Sequence, residues 1–160
     1  MSLLPRLQKL FDENDVEYQI LHHPKDFRAR TTAADTHTPP AEFAKAVFLW
    51  IDGKYALAAL PADHFVALSR LARSIEANTV RLATEFEMGD LCPDCETGAA
   101  PPFGELFGLA TYASPALSRD EIITFNGGTH RDAVRMPWTE YARLAHPKVV
   151  PLSRHEEERT

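Results

Sequence analysis

The clearest pattern in the chain is a pair of almost continuously apolar segments separated by two turn residues. Residues 46–51 (Ala-Val-Phe-Leu-Trp-Ile) and 54–60 (Lys-Tyr-Ala-Leu-Ala-Ala-Leu) flank Asp52 and Gly53. Asp-Gly between two hydrophobic runs is typical of a β-hairpin with a two-residue primed turn. Because neither arm alternates with polar residues, the hairpin is predicted to be central and buried on both faces. Pro61 is expected to close it.

Other segments repeat their apolar residues at helical spacing. This spacing predicts an amphipathic helix over residues 2–14. A second helix is expected from Arg30, with Thr31 or Thr32 as its N-cap. Further helices are predicted at 41–44, at 66–73, after a Thr84–Glu87 capping box, and at 139–144 with Thr139 as N-cap.

Shorter apolar runs predict more strands, at residues 16–21, 79–82, 109–113, 121–125 and 131–136. A Ser-Pro turn is expected after residue 113. Because short strands mix with helices and no βαβ repeat is present, the pattern indicates an α+β (mixed α/β) fold with a mixed, curved sheet surrounded by helices. One domain is expected over residues 1–152, followed by a charged, flexible tail over 153–160.

Composition narrows the functional classes. A net charge of −6 excludes a broad basic surface that binds DNA. It still permits a local patch that binds one end of an RNA. No secretory signal or membrane-spanning run is evident, so no membrane partner is predicted. Two cysteines cannot form a disulfide framework, and a cytoplasmic, reduced protein is expected.

One stretch has the composition of a ligand-holding loop, residues 92–104 (Cys-Pro-Asp-Cys-Glu-Thr-Gly-Ala-Ala-Pro-Pro-Phe-Gly). Pro101 and Pro102 stiffen it, and Gly98 and Gly104 allow close backbone approach. A rigid surface turn explains the same residues equally well. Cys92 and Cys95 have the spacing of a redox pair or half a zinc site; structural zinc needs four ligands, and no metal site is predicted.

Two further features carry reactive side chains. Lys45 precedes a buried strand, where a cation needs a partner; it could hold a phosphate or polarise an ester, or simply extend to solvent at the strand edge. The glycine turn at 126–131 (Asn-Gly-Gly-Thr-His-Arg) presents His130 and Arg131, which suit an anion or an RNA end. A hairpin turn with a solvated His-Arg pair is the alternative.

The order of these features resembles the YbaK-like aminoacyl-tRNA deacylases, which are related to the editing domain of bacterial prolyl-tRNA synthetases. The resemblance covers roughly residues 20–145. It rests on Lys45, on the Gly98-to-Pro102 loop followed by Phe103 and Gly104, and on residues 126–130. It implies a single α/β domain with a barrel-like sheet.

The resemblance also implies a function, the hydrolysis of the ester of a mischarged aminoacyl-tRNA by a free-standing trans-editing enzyme. It assigns catalytic roles to Lys45, Gly98 and His130. The substrate's acceptor end would be bound by residues of the two loops and, more loosely, by an amino-terminal segment: Ala100, Pro101, Pro102, Phe103, Gly104, Gly127, Gly128, Thr129, Arg131, Thr31 and Thr32. No cofactor is implied, and an aminoacyl-tRNA synthetase is a further candidate partner.

The identity of the amino acid is left open, with a small one such as alanine, cysteine or serine favoured because pockets discriminate by steric exclusion. An alternative is a non-catalytic module that binds tRNA or a synthetase through the same pocket. Another is a small redox protein built on Cys92 and Cys95, a pair that is not part of the family's chemistry.

Overall fold

The computed structural model describes residues 3–24, 28–96 and 98–159. Within these ranges, helices and strands mix along the chain in the order α1 (Pro5–Asn14), β1 (Gln19–His22), α2 (Ala29–Asp35), β2 (Ala44–Ile51), β3 (Lys54–Pro61), β4 (His64–Val66), α3 (Leu68–Ile75), β5 (Val80–Leu82), α4 (Glu85–Leu91), β6 (Ala110–Ala113), α5 (Pro115–Ser118), β7 (Ile122–Asn126), β8 (Asp132–Pro137), α6 (Trp138–Ala145), β9 (Lys148–Val149) and β10 (Ser153–His155). Three 3-10 helices lie at Pro40–Glu42, Gly104–Phe107 and Glu156–Arg159. The predicted α+β class is confirmed.

The hairpin of β2 and β3 forms the middle of a five-stranded sheet with the order β5-β2-β3-β6-β9. Its register runs from Ala44 opposite Pro61 to Ile51 opposite Lys54. Asp52 and Gly53 both have positive φ, as a primed turn requires. Strand β6 pairs in parallel with β3 and with β9, which makes the sheet mixed. The predicted central hairpin is therefore confirmed, with β3 the more deeply buried arm.

Two smaller sheets complete the described strands, β1-β8-β7 and β10-β4. A single parallel bridge between Phe43 and Thr124 links the three-stranded sheet to the start of β2. Because these ladders stay separate and keep free edges, the described sheet system is not closed, and the barrel-like expectation is corrected to open sheets.

Several predicted boundaries are wrong. Helix α2 starts at Ala29, so Thr31 and Thr32 lie inside it, and Thr32 Oγ1 donates back to the Arg28 carbonyl. Helix α6 begins directly after β8, with Pro137 at the N-cap position instead of Thr139. The expected Ser-Pro turn is a short helix, α5, whose N-cap Ser114 accepts from the Ala116 amide. In each case, neighbouring elements fix the start of the helix.

The expected flexible tail begins at residue 153, and its described part contains strand β10 and the 3-10 helix at Glu156–Arg159. Ser153, Arg154 and His155 pair with β4 in an antiparallel ladder. Ser153 Oγ is buried and donates to Ser114 Oγ at 2.9 Å. This pairing places the charged segment on an edge of β4. Among the helices of the described residues, none is both long and apolar enough to cross a bilayer.

The main core lies between the three-stranded sheet and helices α1 and α6. Phe103 is its centre, because its ring contacts the rings of Phe11, Phe125 and Tyr141 at centroid distances of 6.0, 5.5 and 5.0 Å. Edge-to-face contacts of this kind add to the energy of burial. The loop that carries Phe103 is thereby attached to the core at one end.

Candidate active site

A cavity of about 180 Å³ lies between β2, helix α4 and the loop that follows α4. Its described lining residues are Ala46, Phe48, Met88, Gly89, Cys92, Pro93, Cys95, Glu96, Gly98 and Ala100. Pockets for drug-sized ligands are usually larger, roughly 300–1,000 Å³. The cavity therefore suits a small chemical group.

Helix α4 forms one wall, and its sequence explains its position. Thr84 caps the helix in a capping box with Glu87, as predicted. The Glu87 carboxylate also accepts from Arg81 on β5 and from the Tyr55 hydroxyl on β3. The hydrogen bond from Arg81, then that from the Thr84 amide, holds the pKa of Glu87 well below its usual range. A permanently ionised Glu87 thus fixes α4 to the central sheet.

The turn after α4 contains a disulfide between Cys92 and Cys95. The expectation that both thiols are reduced is therefore wrong for this structure. Between them, Asp94 accepts two hydrogen bonds from the Arg6 guanidinium on α1, at 3.0 and 2.5 Å. Arg6 also stacks over the Phe107 ring at 4.9 Å. The pocket wall is consequently tied to α1.

Cys92, Asp94 and Cys95 also have the proximity of a metal site, with candidate ligand atoms within 4.8 Å of one another. Thiolates, not disulfide sulfurs, are the form in which cysteine binds metals. Since the sulfurs are bonded to each other and Asp94 is paired with Arg6, the oxidised turn is poorly suited to hold an ion.

The predicted glycine loop and the predicted histidine turn lie side by side. The Glu96 amide donates to the Gly128 carbonyl at 2.9 Å, and the Gly128 amide donates to the Ala99 carbonyl at 3.0 Å. The His130 amide donates to the Glu96 carboxylate at 2.8 Å. These three bonds align two segments that are about thirty residues apart in sequence.

Gly98 and His130 are brought close together. Gly98 has φ of +82°, in the left-handed region that favours glycine. A Cβ added there would lie 3.6 Å from His130 Cε1, so the imidazole is the nearest neighbour of this backbone. His130 itself is only 2% exposed.

Two backbone amides of this loop are available to a ligand. Among the described residues, neither the Gly98 nor the Ala100 amide has a hydrogen-bond acceptor, whereas the Ala99 amide donates to the Glu96 carbonyl. Both Gly98 and Ala100 line the cavity. Donors of this kind can stabilise the negative charge that develops on a carbonyl oxygen during acyl transfer.

The rest of the loop, residues 101–104, is held in the core and supports the part that carries Gly98 and Ala100. The Tyr141 hydroxyl, fully buried, donates to the Pro102 carbonyl at 2.6 Å. The Gly104 amide donates to Thr111 Oγ1, and a Cβ on Gly104 would lie 2.5 Å from that oxygen. Pro101, Pro102, Phe103 and Gly104 are buried and are absent from the described lining of the cavity.

The two glycines of the histidine turn, Gly127 and Gly128, also lie in close contact with the rest of the protein. A Cβ on Gly127 would lie 2.5 Å from Leu3 Cδ2, and one on Gly128 would lie 2.9 Å from Leu4 Cβ. The amino-terminal segment therefore packs directly on this turn. Beyond it, Thr129 donates to Asp132 at 2.8 Å, and Arg131 is exposed.

Lys45 lies close in sequence to the cavity but is not among its described lining residues. It is the second residue of β2, opposite Leu60, and the next residue, Ala46, faces the cavity. Adjacent strand residues point to opposite faces. Burial lowers the pKa of His64, and the Lys45 ammonium contributes in the same direction.

Thr31 and Thr32 lie on α2, outside the lining described for the cavity. The structure therefore brings together Gly98, Ala100 and His130, and it leaves Lys45, Thr31 and Thr32 on other surfaces. Glu96, Met88 and Gly89 were not predicted as site residues. Glu96 had a signal, because it stands between the cysteine pair and Gly98.

Comparison with known proteins identifies the family of this chain. Residues 23–144 match the model of the aminoacyl-tRNA editing domain, so the chain belongs to that family. A crystal structure of a protein proposed as a trans-editing enzyme for prolyl-tRNA synthetase superposes with a TM-score of 0.81 at 20% identity, covering 94% of this chain and 96% of the other.

A second structure, of the hypothetical protein APE2540, superposes with a TM-score of 0.84 at 15% identity and covers 93% of this chain and 99% of its own. At these identities the structural likeness shows the fold alone. A comparison with curated protein sequences gives no match.

Proposed function

We propose that this protein is a free-standing hydrolase that removes the amino acid from mischarged aminoacyl-tRNA. The family provides the reaction class, and one structural observation carries the assignment to this site. Gly98 and Ala100, whose amides have no acceptor among the described residues, line a small cavity near His130.

In this proposal the cavity receives the aminoacyl group, and the two amides stabilise the oxyanion formed when water attacks the ester. An aminoacyl ester is already activated, so orientation contributes more than a strong nucleophile. Glu96 fixes the His130 backbone, and His130 packs over Gly98 so that the loop keeps its shape. Lys45, which is not among the described lining residues of the cavity, is assigned in this proposal to a phosphate of the acceptor end.

The cavity volume favours a small amino acid such as alanine, cysteine or serine. A volume of about 180 Å³ leaves little room beyond a short side chain and its ester. In this proposal Phe48 and Met88, which line the cavity, exclude larger side chains, and each methylene contributes only about 1–3 kcal/mol to the discrimination. Action in the cytoplasm, where charged tRNA is used, is part of the proposal.

The test follows release of amino acid from tRNA charged with alanine, cysteine, serine or proline. We expect release of one small amino acid, and we expect Lys45→Ala to lower the rate at least tenfold because the phosphate loses its charged partner. Lys54→Ala, which removes an exposed lysine at the other end of the same hairpin, is the matched control. Binding of charged tRNA without release of any of the four would instead favour a non-catalytic module.

A further inference from the structure

The most exposed large apolar side chain in the described part of the chain is Phe86, at 79%. It lies in the first turn of α4, the helix that forms one wall of the candidate active site. Leu82, just before that helix, is 51% exposed. Exposing an aromatic ring to water costs free energy that burial would recover, so a ring this open suggests a surface that a ligand covers.

Phe86 lies one helical turn before a residue of α4 that lines the cavity. Residues three apart on a helix are neighbours, with Cβ positions about 5–6 Å apart. Gly89 is three residues after Phe86 and lines the cavity. The position of Phe86 on α4 is therefore next to a wall of the cavity.

Gly89 has no structural reason to be glycine. It lies within the helix, where glycine costs about 1 kcal/mol relative to alanine. A Cβ added there would meet nothing within 4 Å, and its backbone is not in the left-handed region. At Gly89 the helix surface therefore carries no side chain and has free space above it, so another molecule can approach the backbone closely.

The charged residues of α4 near Phe86 indicate which kind of chemical group this surface can bind. Glu85 and Asp90 are exposed on the same helix, and they would repel a phosphate. Glu87 is engaged by Arg81 and Tyr55 on the side of the sheet. An uncharged, planar group fits this surface best, because aromatic side chains stack nucleobases and tolerate any of them.

We propose that Phe86 and Gly89 form a stacking platform for the terminal adenine base of aminoacyl-tRNA, while the aminoacyl group enters the adjacent cavity. This inference rests on the proposed function. It adds a positioning residue to that function, one that touches the base and not the ester. Phe86 would hold the nucleoside so that its ester meets the Gly98 and Ala100 amides.

The experiment is a double-mutant cycle between the ring and the base. The substrates are two aminoacylated acceptor-stem minihelices, one ending in adenosine and one ending in an abasic nucleotide. The variants are Phe86→Ala and Phe86→Trp. Ile122→Ala is the control, because Ile122 is 45% exposed at the start of β7 and lies outside the site.

We expect Phe86→Ala to raise KM for the adenosine substrate by roughly tenfold, with kcat little changed, since base–aromatic stacking has that magnitude. Phe86→Trp should retain the wild-type KM, and Ile122→Ala should have no effect. With the abasic substrate, wild type and Phe86→Ala should be alike. An equal effect of Phe86→Ala on both substrates, or no effect on either, would overturn the proposal.

A binding measurement separates this inference from the proposed function. Uncharged minihelices with and without the terminal base are titrated against the same variants. We expect wild type to bind the minihelix with the terminal adenine more tightly than the one without it, and Phe86→Ala to remove that difference. This result would support the stacking platform even if no ester is cleaved. If Phe86→Ala leaves both affinities unchanged but reduces self-association in sedimentation, a second copy covers the ring and the platform is rejected.

Discussion

At the scale of single residues, the half-buried carboxylate of Asp120 stands out because one of its oxygens has no hydrogen-bond donor among the described residues. Asp120 Oδ2 is buried and has no hydrogen-bond partner among the described residues. Burial, followed by the nearby Glu42 and Asp63 charges, raises the pKa of Asp120 to about 6. Desolvation and like charges both disfavour the ionised form.

This raised pKa gives stability a defined dependence on pH. In the folded state Asp120 holds its proton up to about pH 6, whereas in the unfolded chain it loses it near pH 4. The folded state therefore binds more protons between these values, and its contribution to stability falls as pH rises through that window. Above about pH 6 Asp120 is ionised in both states, and the loss of folding stability from this residue has reached its full size.

We expect Asp120→Asn to raise the free energy of unfolding by on the order of 1 kcal/mol at pH 7.5, after allowance for solvent screening, and to give no gain at pH 4. Denaturant titrations at both pH values measure the difference. Asp12→Asn, at an exposed aspartate on α1, is the matched control. The same gain for Asp120→Asn at both pH values would show that packing and not proton linkage is responsible.

Individual residues of the candidate site could be predicted only where they stand in a short motif of unusual composition. Gly98 and His130 stand in short glycine-rich motifs, and the structure places them close together. Glu96 lies in the same motif, but its partner, the His130 amide, is thirty-four residues away. Local sequence does not reveal such a pairing. Met88 and Gly89 carry no chemical signal, because they reach the site through the position of α4.

At the scale of elements, the accuracy of prediction follows the distance between the residues that determine each element. The central hairpin was predictable because its turn and both strands are contiguous. The α4 cap was predictable for the same reason. Strands β4 and β10 were missed because each is stabilised by the other, almost ninety residues away. The start of α6 was misplaced because β8 continues to Pro137.

The turn after α4 is the element whose state the sequence could least specify. Cysteine spacing shows that Cys92 and Cys95 are close, but it does not show whether they are bonded. In the structure they form a disulfide in the wall of the cavity. Breaking it would release the turn between α4 and Glu96, with Asp94 still held by Arg6.

We expect the double variant Cys92→Ser/Cys95→Ser to be less stable by about 2 kcal/mol, the entropy effect of opening so short a loop. A dithiol reductant should lower the stability of wild type to that of the variant and leave the variant unchanged. Denaturation with and without reductant measures both effects. If reductant lowers the stability of both proteins equally, the disulfide is not the origin of the change.

At the scale of the whole molecule, the fold class and the family were accessible from sequence, whereas pocket size was not. Family membership depends on the order of motifs along the chain, which sequence displays directly. The cavity is enclosed by residues 46–48 of the hairpin and 88–100 of another region, so its volume depends on how the two pack. Packing at the level of single methyl groups decides which amino acid fits.

Net charge sets the last expectation, which concerns the extent of the RNA interface. At −6 the molecule repels a polyanion over most of its surface, so contacts with phosphates must be few and confined to the acceptor end. Each neutralised phosphate contributes a slope of about −0.7 to −0.9 to the plot of log affinity against log salt. With two to four contacts, raising salt from 50 to 200 mM should weaken binding about tenfold to hundredfold.

The measurement is KM for charged tRNA and for the corresponding acceptor-stem minihelix across that salt range. The two substrates should give similar KM values and similar slopes, because the body of the tRNA adds no phosphate contact. A much steeper slope for full-length tRNA would reveal a second, distant contact surface. Tight binding to tRNA that lacks its terminal nucleotides would contradict recognition at the acceptor end, since the cavity, the Gly98 loop and Phe86 all act on the part removed.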